Sequence, residues 1–532
     1  MTSEGAPSAA PKPQGFRSAA SSGSIWATLQ VVLSKGTAAV STFAFAYLLD
    51  PAEIGVGAAG LAVVSLLLIF PPPVISDVLV RFGGELPDWI AAGRRLARVV
   101  ATVSLALISV AAIAIAIVAE HERTLALIVA LLSIRAFFES LSYPPLSRMR
   151  VALRFREIAA IDALTACTVM VAGIGYAWIT RRPEAVVIGF VAGAVVRYAA
   201  FAAAAGAPDD NPSPRGDFTT LFADFRHACL GHYIYAIYLV IDRLMLTALC
   251  SDRVVGIYYF AFQLSTQINA ALGLALGVVV QPIFGHLRNE PARQLRAFRA
   301  VSASITALAI PAMLLQAALA RLFFEIALPA DYAESAPVLE ILSIAMCFSC
   351  CMGPCLAMLT AQSRFRAYLL MQIGQLAMLG TLVAAGAALG GEESGAKFTA
   401  CAVLVQFVVF GPFALWLAGQ RPDLAPAERL NWWTSIDLFL RPFLIGAVAF
   451  APTVVAAHAD LGLSRFPHAA VALAASVVSI GIYAGLLRAF APATWHDLRT
   501  EALAIMGRLR RRGQGASPDH TTSPDQTTRQ DQ

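Results

Sequence analysis

Pro144-Pro145-Leu146 is followed, ten positions after its first proline, by Arg154-Phe155-Arg156; Pro354-Cys355-Leu356 is followed at the same spacing by Arg364-Phe365-Arg366, 210 residues further on. Leu48-Leu49-Asp50-Pro51-Ala52-Glu53-Ile54-Gly55-Val56 likewise lies over Leu249-Cys250-Ser251-Asp252-Arg253-Val254-Val255-Gly256-Ile257 at a shift of 201. Echoes this short also arise by chance between arginine-rich turns. These two, however, occur at compatible shifts and fall on matching boundaries of apolar stretches, which points to a duplicated chain with a binding site between its halves.

Of 532 residues, 58% are hydrophobic and 14% charged, with a mean hydropathy of +0.68. No soluble domain of this length needs so much apolar material to cover its core. Stretches of about 20 apolar residues, each long enough to cross roughly 30 Å of hydrocarbon as a helix, recur along the chain. Fourteen are expected, at 25–48, 55–80, 96–119, 124–143, 158–180, 185–206, 227–250, 255–280, 298–320, 336–360, 366–390, 396–419, 438–457 and 467–490.

The expected fold class is an all-α integral membrane protein of about 14 transmembrane helices. Residues 1–23, rich in Ser, Ala, Pro and Gly, read as a disordered cytoplasmic N-terminus. Residues 24–206 form a first lobe (spans 1–6), 207–226 a cytoplasmic linker and 227–419 a second lobe (spans 7–12). Two additional spans follow within 420–490, and 491–532 read as a cytoplasmic tail, largely disordered. The first span is too long for a cleavable signal peptide and lacks an A-x-A-type site, so it is expected to be retained.

Orientation follows from the basic residues. With the N-terminus inside, cytoplasmic segments hold most of them, among them Arg81, Arg94, Arg95, Arg98, Arg148, Arg150, Arg288, Arg293, Arg421 and Arg429. The outer loops hold only Arg123, Arg181, Arg182, Arg253, Arg321, Lys397 and Arg465. This bias places both termini in the cytoplasm and requires an even number of spans. Six helices then separate equivalent positions, so the halves form a parallel repeat about an axis along the membrane normal. The net charge of +5 reads as membrane topology, with no nucleic-acid partner expected.

Charges inside the spans point to an anionic cargo. Lys35, Arg135, Arg197 and Arg243 would each cost roughly 2.5–3.5 kcal/mol at the bilayer centre, so each should face a wet cavity or a partner. A pyrophosphate needs the point charges and forked donors that Lys and Arg supply. The alternative is simple pairing. Arg135 and Glu139 stand at i, i+4, Asp242 adjoins Arg243, and Asp162 and Asp77 are available to others. The substrate-cavity candidates are therefore Lys35, Arg197, Arg135 and Arg243, with Glu139 and Asp242; the cytoplasmic-mouth candidates are Arg154, Arg156, Arg364 and Arg366.

Spans 8 to 12 carry no charge in their cores but hold Gln263, Gln267, Asn269, Gln281, Gln316, Gln372, Gln375 and Gln406. These amides either meet sugar hydroxyls or join helices. Pro71-Pro72-Pro73, Pro282 and Pro311 are expected to bend spans 2, 8 and 9, as gates or as packing kinks. Cys347, Cys350, Cys351 and Cys355 share one face of span 10 but extend over about 12 Å without a histidine or carboxylate beside them, so they read as small packing residues. No metal site or cofactor is expected.

Asp50-Pro51-Ala52-Glu53-Ile54-Gly55 after the first span, Asp242-Arg243 in the seventh, Gly256-Ile257-Tyr258-Tyr259 opening the eighth, and Gln281-Pro282 before a basic loop together resemble the polysaccharide-transport flippases. These are the Wzx-type O-antigen and exopolysaccharide members of the multidrug/oligosaccharidyl-lipid/polysaccharide exporter superfamily. The resemblance covers about residues 24–420. It implies two six-helix lobes forming a V around a central cavity in the bacterial inner membrane. It also implies export of a sugar chain on an undecaprenyl pyrophosphate lipid, with membrane lipids and polysaccharide polymerase or export machinery as partners.

No Walker-type segment, H-E-x-x-H or carboxylate-paired histidine cluster is present, so an enzyme is not expected. A cation- or proton-coupled multidrug exporter of the same superfamily remains the second reading. A membrane polysaccharide polymerase or ligase is the third, and the short outer loops speak against it.

Overall fold

The computed structural model describes residues 13–118, 123–206, 217–421, 423–459 and 465–492, together with Trp495. Among the described residues it contains helices and no strand. The first lobe comprises α1 (Pro13–Leu48), α2 (Pro51–Leu67), α3 (Pro73–Val80), α4 (Leu86–Val118), α5 (Arg123–Val151), α6 (Phe155–Thr180) and α7 (Ala185–Ala205). The second comprises α8 (Phe218–Tyr238), α9 (Ile241–Leu249), α10 (Asp252–His286), α11 (Pro291–Ala327), α12 (Ser335–Ser349), α13 (Met352–Ala361) and α14 (Phe365–Gly419). Outside the repeat lie α15 (Trp432–Ala449), α16 (Ala451–His458) and α17 (Arg465–Phe490).

Among the described residues nine helical segments are long and apolar enough to cross a membrane, and up to eleven spans result when each bent pair counts as one. The proline triplet stops α2 at Leu67 and restarts the chain as α3, because successive prolines remove the amides a continuing helix needs. α8 and α9 form one span bent by 52°, and α15 and α16 one bent by 47°. α14 folds back at Gly391 (φ 52°, ψ −146°), a conformation open to glycine, and so contains two spans, Phe365–Gly391 and Ser394–Gly419. Two boundaries differ from the sequence reading. α1 starts at Pro13, inside the segment assigned to disorder, since proline is compatible with a first helical turn. Asp217 caps α8 by accepting from the Thr219 and Thr220 amides, so helix begins inside the expected linker. Most of the expected tail lies outside the described residues.

The duplication is visible in the backbone. α5 ends in a Schellman motif: Leu153 takes φ 56°, its N–H donates to the Arg150 carbonyl (3.1 Å), and the Arg154 N–H donates to the Met149 carbonyl (3.0 Å). α13 ends identically at Ser363, also at φ 56°, with the Ser363 N–H on Thr360 (2.9 Å) and the Arg364 N–H on Leu359 (2.9 Å). Neither position is glycine, so the two copies hold different non-glycine residues in the same left-handed conformation.

Acidic residues gather at one end of the bundle (Asp50, Glu53, Asp252, Asp331, Glu334) and arginines at the other (Arg81, Arg94, Arg148, Arg154, Arg364, Arg421). The lobes meet at the acidic end, where α2 crosses α10 at Gly55 and Gly256. Tyr47 donates to the Ala327 carbonyl and Tyr332 to the Leu49 carbonyl there, each at 2.7 Å. A cavity lies between the two lobes beside this junction. α8 reaches across toward the basic end, pairing His232 with Asp77 (3.3 Å) and Asp224 with Arg81.

Candidate functional site: the cavity between the lobes

A cavity of about 390 Å³ lies between the lobes, walled by α1, α6 and α7 on one side and α10 on the other. On α1 the residues that reach it include Gln30, Ser34, Thr37 and Ser41, a polar stripe at helical spacing. Asp162 on α6 accepts from the Gln30 amide at 2.6 Å and stands 3.5 Å from Arg197 Nε on α7. That is an ion-pair distance, and Arg197 Nε is buried without a hydrogen bond. The guanidinium also lies over the rings of Tyr143 and Phe201, each at 5.5 Å. Arg197 is therefore held at the cavity wall by its ion pair with Asp162 and its contact with Tyr143.

Arg135, Glu139, Arg243 and Asp242 do not line this cavity; Arg135 and Glu139 line a separate recess of about 220 Å³ against Pro71, Pro72 and Pro73. Arg135 pairs with Glu139 at 3.3 Å and lies over Phe190, a residue of the cavity wall, at 4.8 Å. Arg243 pairs with Asp242 at 3.4 Å and lies over Tyr259 (5.8 Å) and Phe262 (5.3 Å). Arg135 and Arg243 are both within electrostatic reach of Tyr259, which lines the cavity. Asp242 is buried and takes a 2.6 Å hydrogen bond from the Tyr258 hydroxyl. Lys35 is exposed on α1 beside Ser34 and is not among the residues lining the cavity.

Most amides of the second lobe join helices. Asn269 donates to the Met346 carbonyl (3.2 Å) and Ser349 (2.7 Å), Gln316 to the Leu264 carbonyl (3.1 Å), and Gln406 to Tyr238 (3.1 Å). Gln263, bonded to Tyr259 at 3.1 Å, reaches the cavity. Cys347, Cys351 and Cys355 are buried in the core of their lobe. Among the described residues no group of histidines, cysteines and carboxylates could hold a metal ion.

At the basic end the two Arg-Phe-Arg turns use their first arginines alike. Arg154 donates to the Ala204 carbonyl at the C-terminus of α7 (2.9 Å) and pairs with Glu157. Arg364 donates to the carbonyls of Leu417 (2.9 Å) and Gln420 (2.7 Å) at the C-terminus of α14. Each caps the last helix of its lobe, where carbonyls lack partners and the helix dipole is negative. Burial and the nearby Arg421 push the Arg364 pKa down from its ordinary value. Arg156 and Arg366 are exposed.

The polar stripe on α1 and the role of Asp162 as a wall residue were missed from the sequence. Gln30, Ser34, Thr37 and Ser41 at four-, three- and four-residue steps was the signal available.

The two-lobed helical bundle with a cavity between its lobes has counterparts among known proteins. The family model "Polysaccharide biosynthesis protein" matches residues 44–337, more than half of the chain, and the protein belongs to this family. Its fold is similar to that of the lipid II flippase MurJ in an inward closed conformation (TM-score 0.65, 12% identity, 87% of this chain and 99% of that one). It is also similar to an inward-facing multidrug resistance MATE family transporter of the MOP superfamily (TM-score 0.53, 13% identity, 74% and 97%). Comparison with curated protein sequences gives no match.

Proposed function

We propose that the protein is a flippase, and not an enzyme, that moves an undecaprenyl-pyrophosphate-linked oligosaccharide from the cytoplasmic to the periplasmic leaflet of the bacterial inner membrane. It would supply cell-surface polysaccharide such as O-antigen, exopolysaccharide or capsule, alongside polymerase or export machinery. The observation that carries this reading is Arg197, a forked cation at the wall of the interlobe cavity with a buried, unbonded Nε. Its guanidinium fork suits the oxygens of a pyrophosphate. Arg135 and Arg243 exchange their carboxylate partners for the passing anion, Glu139 and Asp242 neutralise them between cycles, and Lys35 stands at the edge of the path.

Both termini are cytoplasmic in this reading, so the basic end faces the cytoplasm. Closure by the α2–α10 crossing leaves the cavity sealed from the periplasm, and alternating access requires that junction to part. An inside-negative potential favours outward movement of an anion by about 2.3 kcal/mol per charge per 100 mV. Arg156 and Arg366 attract the head group at the mouth. Deleting the gene should cause the lipid-linked sugar to accumulate on the cytoplasmic leaflet, and the wild-type gene should clear it. No accumulation would overturn the reading.

Asp162 favours a second reading. A carboxylate on the wall of the same cavity is what a proton- or cation-coupled multidrug exporter requires, and the shared fold is compatible with it. Drug resistance that falls on deletion, with lipid-linked sugar unchanged, would select this alternative.

A further inference from the structure

The first lobe carries a second, larger recess, of about 910 Å³, on its outer perimeter between α4, α5 and α7 at the basic end. No residue of α1, α2 or the second lobe lines it, so it is separate from the interlobe cavity. Its walls are apolar, including Ile90 and Ala97 of α4, Leu141 of α5 and Ala202 of α7, while Arg94, Arg98 and Arg148 stand around it. Arg148 donates to the Gly206 carbonyl at 3.1 Å, which fixes its guanidinium at the rim.

The duplication shows what such a recess accepts. α4, α5 and α7 correspond to α11, α12–α13 and the second arm of α14. In the second lobe α15 lies over these helices, and its Phe439 is fully buried among Phe298 of α11, Cys355 of α13 and Leu415 of α14. The corresponding surface there is filled by an apolar helix from the chain itself. In the first lobe no described segment lies in that place, and three arginines surround the opening.

We infer that the recess between α4, α5 and α7 is a binding site for one anionic membrane phospholipid. Its acyl chain takes the place that α15 takes in the second lobe, and its phosphate meets Arg94, Arg98 and Arg148. An apolar trough closed at one end by guanidinium groups matches an amphiphile of this kind, since forked donors suit phosphate oxygens and basic residues near a membrane surface each add appreciably to anionic-lipid affinity. This site goes beyond the proposed transport activity and stands without it.

The test is native mass spectrometry of the full-length protein titrated with phosphatidylglycerol and, separately, phosphatidylcholine. Wild-type protein should hold one phosphatidylglycerol at least about tenfold more tightly than phosphatidylcholine. Arg94→Ala/Arg98→Ala should remove that preference, Ala202→Trp should fill the trough and remove the bound lipid with the charges intact, and Arg293→Ala/Arg296→Ala on α11 should change neither. Melting temperatures of the variants would show that each remains folded. Equal binding of both lipids would overturn the assignment of the arginines to a phosphate. Retention of the adduct by folded Ala202→Trp, or no adduct on wild-type protein, would overturn the site.

Discussion

Gly55 and Gly256 lie against each other's helices reciprocally. A Cβ on Gly55 would meet the Asp252 carbonyl oxygen at 1.8 Å, and one on Gly256 would meet the Pro51 carbonyl oxygen at 1.7 Å. Gly55 and Gly256 stand 201 residues apart, as do Pro51 and Asp252, so α2 and α10 meet as copies of one another at a pseudo-twofold axis. Backbones this close admit only glycine, the device by which small residues let membrane helices approach.

Gly55→Ala or Gly256→Ala should therefore separate the helices. Overpacking of this kind costs about 1–3 kcal/mol. The melting temperature in detergent should fall, and a cysteine placed at Ser41 should become more reactive to a reagent added from the acidic side. Unchanged melting and labelling would mean that the junction does not seal the cavity.

Arg364→Ala removes hydrogen bonds to two carbonyls at the end of α14, a loss of about 1–3 kcal/mol. Lysine should not restore it, because a single ammonium cannot reproduce the fork. Arg154→Ala should act in the same direction on α7. Arg366→Ala, exposed and outside these caps, should leave melting unchanged and slow export most at low substrate supply. Equal thermal effects from Arg364→Ala and Arg366→Ala would contradict this division of labour.

The orientation is open to cysteine labelling in a background freed of native cysteines. A cysteine at Asp331, exposed at the acidic end, should react from outside intact cells, and one at Arg366 should not. Labelling of the second from outside would reverse the topology and the direction of transport with it.

Arg197 and Asp162 test whether a midspan cation serves substrate or structure. If the pair is structural alone, Arg197→Ala/Asp162→Ala should recover the export lost by either single variant, since no buried charge is left unpaired. A substrate role predicts that Asp162→Asn retains export while both variants lacking Arg197 lose it at normal protein levels.

Much of this architecture was legible because lipid imposes a length and a polarity on every span, and because a duplication repeats its punctuation. The proline triplet of α2 and the Arg-Phe-Arg turns were visible as residues. The strained conformations of Leu153 and Ser363 were not, since neither is the glycine that normally marks a left-handed helix cap. The pairing of Arg135 with Glu139 could be read from helical spacing, whereas that of Arg197 with Asp162 depends on how α6 and α7 pack. For the same reason Lys35, isolated in its own span, gave no sign that Gln30, Ser34, Thr37 and Ser41 would line the cavity in its stead.

The central claim is that a pyrophosphate-linked sugar crosses the membrane through the interlobe cavity past Arg197. Its most direct test is translocation of a fluorescent undecaprenyl-pyrophosphate-linked oligosaccharide in proteoliposomes, read by quenching from one side. Wild-type protein should expose the labelled lipid to the opposite leaflet, and Arg197→Ala, inserted at equal density, should do so at least about tenfold more slowly, the loss of one charge-assisted contact. Wild-type vesicles that behave as empty ones, or Arg197→Ala vesicles that match wild type, would contradict it.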